Sequence, residues 1–329
     1  MARLDNITNK RVDMDKTSTR TLTGILLLAL FAVTAAVVGL MSTSAHAAQA
    51  TVNLGAASPF AILSGTPNIT DAGNASTITG DVGLAPATGA GIGLICGQVN
   101  GTIYSVDATG PLPCRVTNGP LLVTAKNNLT AAYTDAANRT PLTTVNSELA
   151  GQTLVAGVYD SANTQFGITG GGPALILDGQ NDPSSVFIFQ APFNGNGLTV
   201  GNGSVVSLVN GAQACNVFWR VNTASIGTTA TFVGTILALN SITANNGATI
   251  DGRLLARNGS VTLNTNTITN SVCAGNDSED NDEGTGVVVP GFPNTGRMIA
   301  DNLLWVAVPA FVIIAAVAGA FVARKKHLI

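Results

Sequence analysis

The sequence predicts a mostly-β solenoid of about 18 residues per coil, with one long α-helix packed alongside it. Three observations predict it. Residues Thr223 to Asn276 divide into TASIGTTATFVGTILALN, SITANNGATIDGRLLARN and GSVTLNTNTITNSVCAGN, three 18-residue segments that align without a gap. The composition is rich in turn formers and poor in charge, with 37 Gly and 10% charged residues. One stretch alone, Gly119 to Asn138, changes to helical spacing.

The repeat comes first. Thr231, Thr249 and Thr267 share one column, and Phe232, Ile250 and Ile268 the next. Ile236, Leu254 and Val272 share another, as do Ala238, Ala256 and Ala274. A fixed short period with aligned apolar columns marks a solenoid, because each unit buries its apolar side only by stacking on its neighbours. The units are β-branched and turn-rich, so they read as strands. Helical repeats need roughly 33 residues or more, which excludes helix pairs. A three-strand meander is the competing reading, and the four aligned columns speak against it.

Side chains alternate along a strand. If Ile250 points inward, Thr249 and Asp251 point outward, as do Thr231, Thr267, Val233 and Thr269. Stacked strands lie about 4.8 Å apart, so the Thr column becomes a ladder on a nearly uncharged surface. Thr77-Ile78-Thr79-Gly80 repeats the pattern of Thr231 to Gly234 and Thr249 to Gly252. It is therefore expected to form a coil of the same solenoid, laid down out of sequence order. The first candidate surface is Thr77, Thr231, Thr249 and Thr267, with neighbours Thr79, Thr229, Thr265 and Thr269. The second is the preceding strand of each coil, around Ser225, Thr243 and Asn245.

Charge and histidine content narrow the function. Lys and Arg number 15 against 18 Asp and Glu, a net charge of −3, and no basic stripe is present for a nucleic-acid backbone. The two histidines, His46 and His327, fall in segments read below as targeting and anchoring. The region between them has none, which removes Ser-His-Asp and Cys-His sites and most zinc sites. Its acids, such as Asp71, Asp107, Asp160 and Asp251, are scattered. No catalytic residue, cofactor or metal ligand is therefore expected.

From the N-terminus, residues 1–47 read as a secretory signal. Arg3, Lys10, Arg11, Lys16 and Arg20 precede an apolar run from Leu22 to Leu40 and the small residues around Ala45 and Ala47. The folded domain spans 51–275. Within it, Leu122, Ala125, Leu129, Ala132 and Ala136 recur at helical spacing after Pro120. That helix should lie along the solenoid and cover apolar surface. Phe187-Ile188-Phe189 is apolar on both phases and should be buried on both sides. Asp178 to Pro183 reads as a plain turn, without a calcium-loop spacing.

Cys96, Cys114, Cys215 and Cys273 form an even set in an exported chain, which suggests disulfides. Three pairings are possible, and the local choice, Cys96–Cys114 with Cys215–Cys273, is preferred. Residues 276–291 form an acidic linker. Phe292-Pro293-Asn294-Thr295-Gly296 follows, then an apolar span at 303–323 long enough to cross a bilayer, then a basic tail at 324–329.

Two resemblances follow from these residues. The tail resembles the cell-wall sorting signal read by sortases, with Phe292 where Leu is usual. That implies cleavage between Thr295 and Gly296, a transient membrane anchor and attachment to peptidoglycan. The domain resembles the ice-binding-like family. The matching segments are LGAASPFAILSG, STITGDVGLAP, GQTLVAGVY, LILDGQNDPSSVFIFQ, ACNVFWRV, TFVGTILA and ATIDGRLLARNGSVTLN. The resemblance implies a right-handed discontinuous β-helix and a monomer that adsorbs to the ice crystal surface through rows of Thr, Ala, Ser and Asn. Thr243-Ala244-Asn245-Asn246 matches a family motif of the Thr-Ala/Gly-x-Thr/Asn type. Thr124-Ala125-Lys126-Asn127 matches it too, on the expected helix. The alternative function is a surface adhesin or structural wall module on the same scaffold. A β-helix polysaccharide-cleaving enzyme is disfavoured, because its carboxylates would be clustered.

Overall fold

The structure, a computed structural model, describes residues 49–161, 163–191 and 197–274. The expected signal at 1–47, linker at 276–291, FPNTG motif, span at 303–323 and tail at 324–329 lie outside those residues. No helix among the described residues is long and apolar enough to cross a membrane.

The described chain is mostly β, with parallel strand pairs and one long helix, Gly119–Asn138. It winds from Ala224–Ile226 to Thr231–Ala238, then to Ile242–Ala244 and Thr249–Ala256. Each long strand bends at a glycine. Gly234 and Gly252 have φ of +111° and +156° and pair in register. A Cβ on Gly252 would sit 2.0 Å from the Gly234 carbonyl oxygen, so this corner admits no side chain.

The bends divide the winding among three faces. The helix face runs from Arg115–Thr117 through Phe60–Ser64 and the second halves of the two long strands to Leu142–Val145. The ladder face holds the first halves of those strands, Thr267–Thr269, Thr77–Thr79 and Val99–Asn100. A bridge from Val205 to Thr231 extends it toward Val206–Val209, Leu175–Asp178 and Thr153–Val155. The third, or hydroxyl, face is a seven-stranded sheet: Gln165–Ile168, Gly197–Val200, Ala224–Ile226, Ile242–Ala244, Val261–Leu263, Ile69–Asp71 and Ile92–Gly93.

Inside, residues from all three faces pack into one core. Trp219 lies fully buried against Phe189, rings stacked at 3.9 Å, with Phe166 edge-on, and its indole N–H donates to the Val233 carbonyl at 3.0 Å. All of Phe187–Gln190 is buried, as its two-phase pattern requires. The helix covers the outside of the helix face. Leu122, Ala125, Leu129, Ala132, Tyr133 and Ala136 pack on Phe60, Leu63, Ile188, Phe218, Leu237 and Leu255. Asn118 caps it by accepting from the Leu121 N–H at 3.1 Å, and Pro120 occupies the first turn. Cys96–Cys114 and Cys215–Cys273 are the disulfides.

Two columns of the gapless repeat end early. Ile236 pairs with Leu254 and Ala238 with Ala256, but Val272 is 87% exposed and Ala274 lies outside any strand. The chain departs after Thr267–Thr269, and Phe60–Ser64 takes the vacant place, with Ile62 against Leu254. Thr77–Thr79 likewise pairs with Thr267–Thr269, and Ile69–Asp71 with Val261–Leu263. These pairings form a seam between segments remote in sequence. The expectation of out-of-order coils, drawn from Thr77 to Gly80, matches this arrangement.

Candidate functional site

Both candidate surfaces exist, on different faces. On the ladder face, Thr231, Thr249, Thr267 and Thr77 stand in register and all are exposed. The adjacent row holds Val233, Asp251, Thr269 and Thr79. Val233 is buried, contrary to the alternation expected for it, because it packs into the core. Asp251 is exposed and accepts from the Ser271 hydroxyl. The carboxylate of Asp178 and the 40%-exposed Val205 lie further along the same face.

Thr229 and Thr265 lie off the ladder. Both adopt positive φ, 54° and 52°, in the turns joining the hydroxyl and ladder faces. The Thr229 N–H donates to the Asn246 carbonyl and the Thr265 N–H to Asp71 Oδ1. Thr124 to Asn127 lies on the helix, so that copy of the motif belongs to neither surface.

On the hydroxyl face, Ser225 and Thr243 are partners in the middle of a longer row. Register pairs Gly167 with Thr199, Thr199 with Ser225, Ser225 with Thr243, and Thr243 with Thr262. Across the seam Thr262 pairs with Thr70, and Thr70 with Gly93. Each row residue lies between buried neighbours, as in Ile242-Thr243-Ala244 and Val261-Thr262-Leu263, so each row position faces outward; Thr70 alone has a polar one, Asp71. None carries a charge. Asn245 lies at the end of its strand, where its amide donates to the Ile226 carbonyl at 2.8 Å.

Thr70, Thr199 and Thr262 were not anticipated. The step from Ile242 to Val261 is one residue longer than the step from Thr249 to Thr267. A gapless alignment therefore sets Thr243 against Val261 and hides Thr262. An extra residue in one turn and a missing one in the next restore the phase on the ladder face. Allowing unequal turns would have recovered the row.

Two carboxylates border the hydroxyl face, and both are occupied by hydrogen bonds. Glu148, bridged to Gly167 at one end, accepts from the Ala150 N–H and from the N–H and hydroxyl of Thr169. Burial pushes its carboxyl up, but these bonds outweigh it and hold it below its ordinary value. Asp71 faces inward next to Thr70 and is 6% exposed. Its oxygens accept from the Thr265 N–H at 3.1 Å, the Ser76 N–H at 3.0 Å and the Gln98 amide. Burial again pushes up, and the bonds again prevail downward. Among the described residues no group of three or more His, Cys, Asp or Glu could hold a metal. Asp178 binds the Gln180 N–H and the Asn210 amide, as a plain turn does.

A family model described as Ice-binding-like matches residues 62–269. An ice-binding protein of Flavobacterium frigoris (strain PS1) is 40% identical over 195 residues, which is 58% of this chain and 66% of that one. One from Colwellia sp is 40% identical over 201 residues, 59% of this chain and 74% of that one. The crystal structure of an ice binding protein from an Antarctic biological consortium superposes with a TM-score of 0.58 at 37% identity, covering 68% of this chain and 92% of that one.

Proposed function

The chain belongs to the ice-binding-like family, and from that premise we propose that it adsorbs to ice through its hydroxyl face. The unbroken row from Gly167 to Gly93 carries this reading. Neighbouring strands set row members about 4.8 Å apart, and positions two residues along a strand about 6.7 Å apart. Thr methyl groups cage water while hydroxyls and backbone groups hold it, so the first layer can join the lattice of a growing crystal. Each contact is weak, so many must engage together. A sheet that fixes them beforehand avoids the ordering cost on binding. A Lys or Glu in the row would impose its own hydration. The ladder face has Asp251 beside its Thr column, which ranks it second.

The finer reading of the scaffold is a right-handed discontinuous β-helix of about 18 residues per coil, supported by the 231-to-249 register and the remote seam. Residues 1–47 would export the chain. Sortase would then cut between Thr295 and Gly296 and join it to peptidoglycan as a surface-displayed monomer. The basic, apolar and small-residue order at the start and the motif, span and basic end at the finish support this part.

Thermal hysteresis and recrystallisation assays on the purified protein test the function. Thr243→Tyr and Thr262→Tyr should each abolish most hysteresis, while Thr249→Tyr should retain it. Loss in Thr249→Tyr alone would transfer the activity to the ladder face. No hysteresis in the folded parent would end the ice-binding reading.

A further inference from the structure

The row on the hydroxyl face crosses the seam between Thr262 and Thr70, where no short turn links the two strands. Noncovalent contacts alone set how Thr70 stands against Thr262. On the helix face the Ser64 and Thr66 hydroxyls donate across the seam to the carbonyls of Gly259 and Asn258, and the Arg253 guanidinium donates to the Ser58 carbonyl at 3.0 Å. At the corner between hydroxyl and ladder faces the contact is a buried charge.

Asp71 sits one residue from Thr70 and links three layers of the winding. Oδ1 reaches back across the seam to the Thr265 N–H. Oδ2 takes the Ser76 N–H of its own turn and the Gln98 amide of the layer beyond. Ser76 extends the link, since its hydroxyl accepts from the Asn266 N–H at 2.9 Å. The Asn266 amide then donates to the Asn245 carbonyl at 2.7 Å, one layer further back. Ser76 and Asn266 are 2% and 1% exposed. Every group facing the carboxylate is a donor, so only an ionised acid satisfies the site.

We infer that Asp71 is the positioning residue of the ice-facing row: its carboxylate fixes Thr70 in register with Thr262, so that the row continues across the seam. This rests on the hydroxyl face being the ice surface. Asn at 71 turns an amide N–H₂ toward a donor, and the strand Ile69–Asp71 is then held at this corner by its backbone pairing to Val261–Leu263 without the side-chain lock.

The experiment compares hysteresis of folded full-length protein near 0 °C, with folding checked by circular dichroism. Asp71→Asn should lose activity severalfold. A cross-link over the same seam, Thr79→Cys with Thr269→Cys on the ladder face, should restore it, because those residues are register partners. The rescue is read against the parent carrying the same cross-link. If Asp71→Asn does not fold, Gln98→Met removes one arm of the link and should show a smaller loss, rescued the same way. Full activity in Asp71→Asn, or a loss that the cross-link does not repair, overturns the inference. An inactive parent refutes the ice reading instead, so the two failures are distinct.

Discussion

Lys126 joins the helix to the winding beneath it. Its ammonium donates to the carbonyls of Ala256 and Arg257 at 2.7 and 2.6 Å, at the end of the strand Thr249–Ala256. Burial, and then the nearby Arg257 guanidinium, pull the amine down from 10.5 to about 7. Between those values the unfolded chain holds the extra proton, so each step up in pH favours the fold, by at most about 1.4 kcal/mol per unit. Below pH 7 both states are charged and the full penalty of burying the charge applies. Thermal melts at pH 6, 8 and 10 should show the parent gaining stability relative to Lys126→Met as pH rises. A pH-independent difference would contradict this. The Tyr133 ring meets the same Arg257 at 4.8 Å and a second guanidinium, Arg220, at 4.5 Å from its centre. These contacts connect residues remote in sequence, and nothing in local spacing announces them.

The helix was legible as an element, because Leu122, Ala125, Leu129, Ala132 and Ala136 follow its period and all are buried. The hydroxyl face was only half legible. Its strands are two to four residues long, too short for alternation to declare a face, and unequal turns put Thr243 and Thr262 out of step. Ser225 and Thr243 came from the first and second repeat units, whereas Thr70 and Thr199 stand where no repeat was recognised. The two elements should also separate experimentally. Leu129→Ala removes a fully buried side chain from the helix interface and should cost about 3 kcal/mol in denaturant unfolding. Hysteresis per folded molecule should be unchanged, because the hydroxyl face lies on another side of the winding.

At the scale of the molecule, the seam was legible in part. The four residues Thr77 to Gly80 matched the repeat closely enough to assign them to the same ladder, and Thr267 indeed pairs with Thr77. The substitution of Phe60–Ser64 for the third segment's missing strand was not legible, because Val272 and Ala274 fit the apolar columns by residue type alone. Cys215–Cys273 closes 58 residues around the region where the chain leaves the winding. Replacing both cysteines with serine should cost about 2–4 kcal/mol. It should also speed hydrogen exchange in Thr267–Thr269 before the rest of the core; uniform exchange across the core would argue against a local clamp.

The point of departure has one more consequence. Residues 270–273 lie under Gly252 and Arg253, at the corner shared by the helix and ladder faces, where Arg253 donates to the Ser271 carbonyl and Asn270 to that of Pro59. Of the three corners, this is the one the hydroxyl face does not touch. The described chain therefore leaves its winding at an edge that the row from Gly167 to Gly93 does not share.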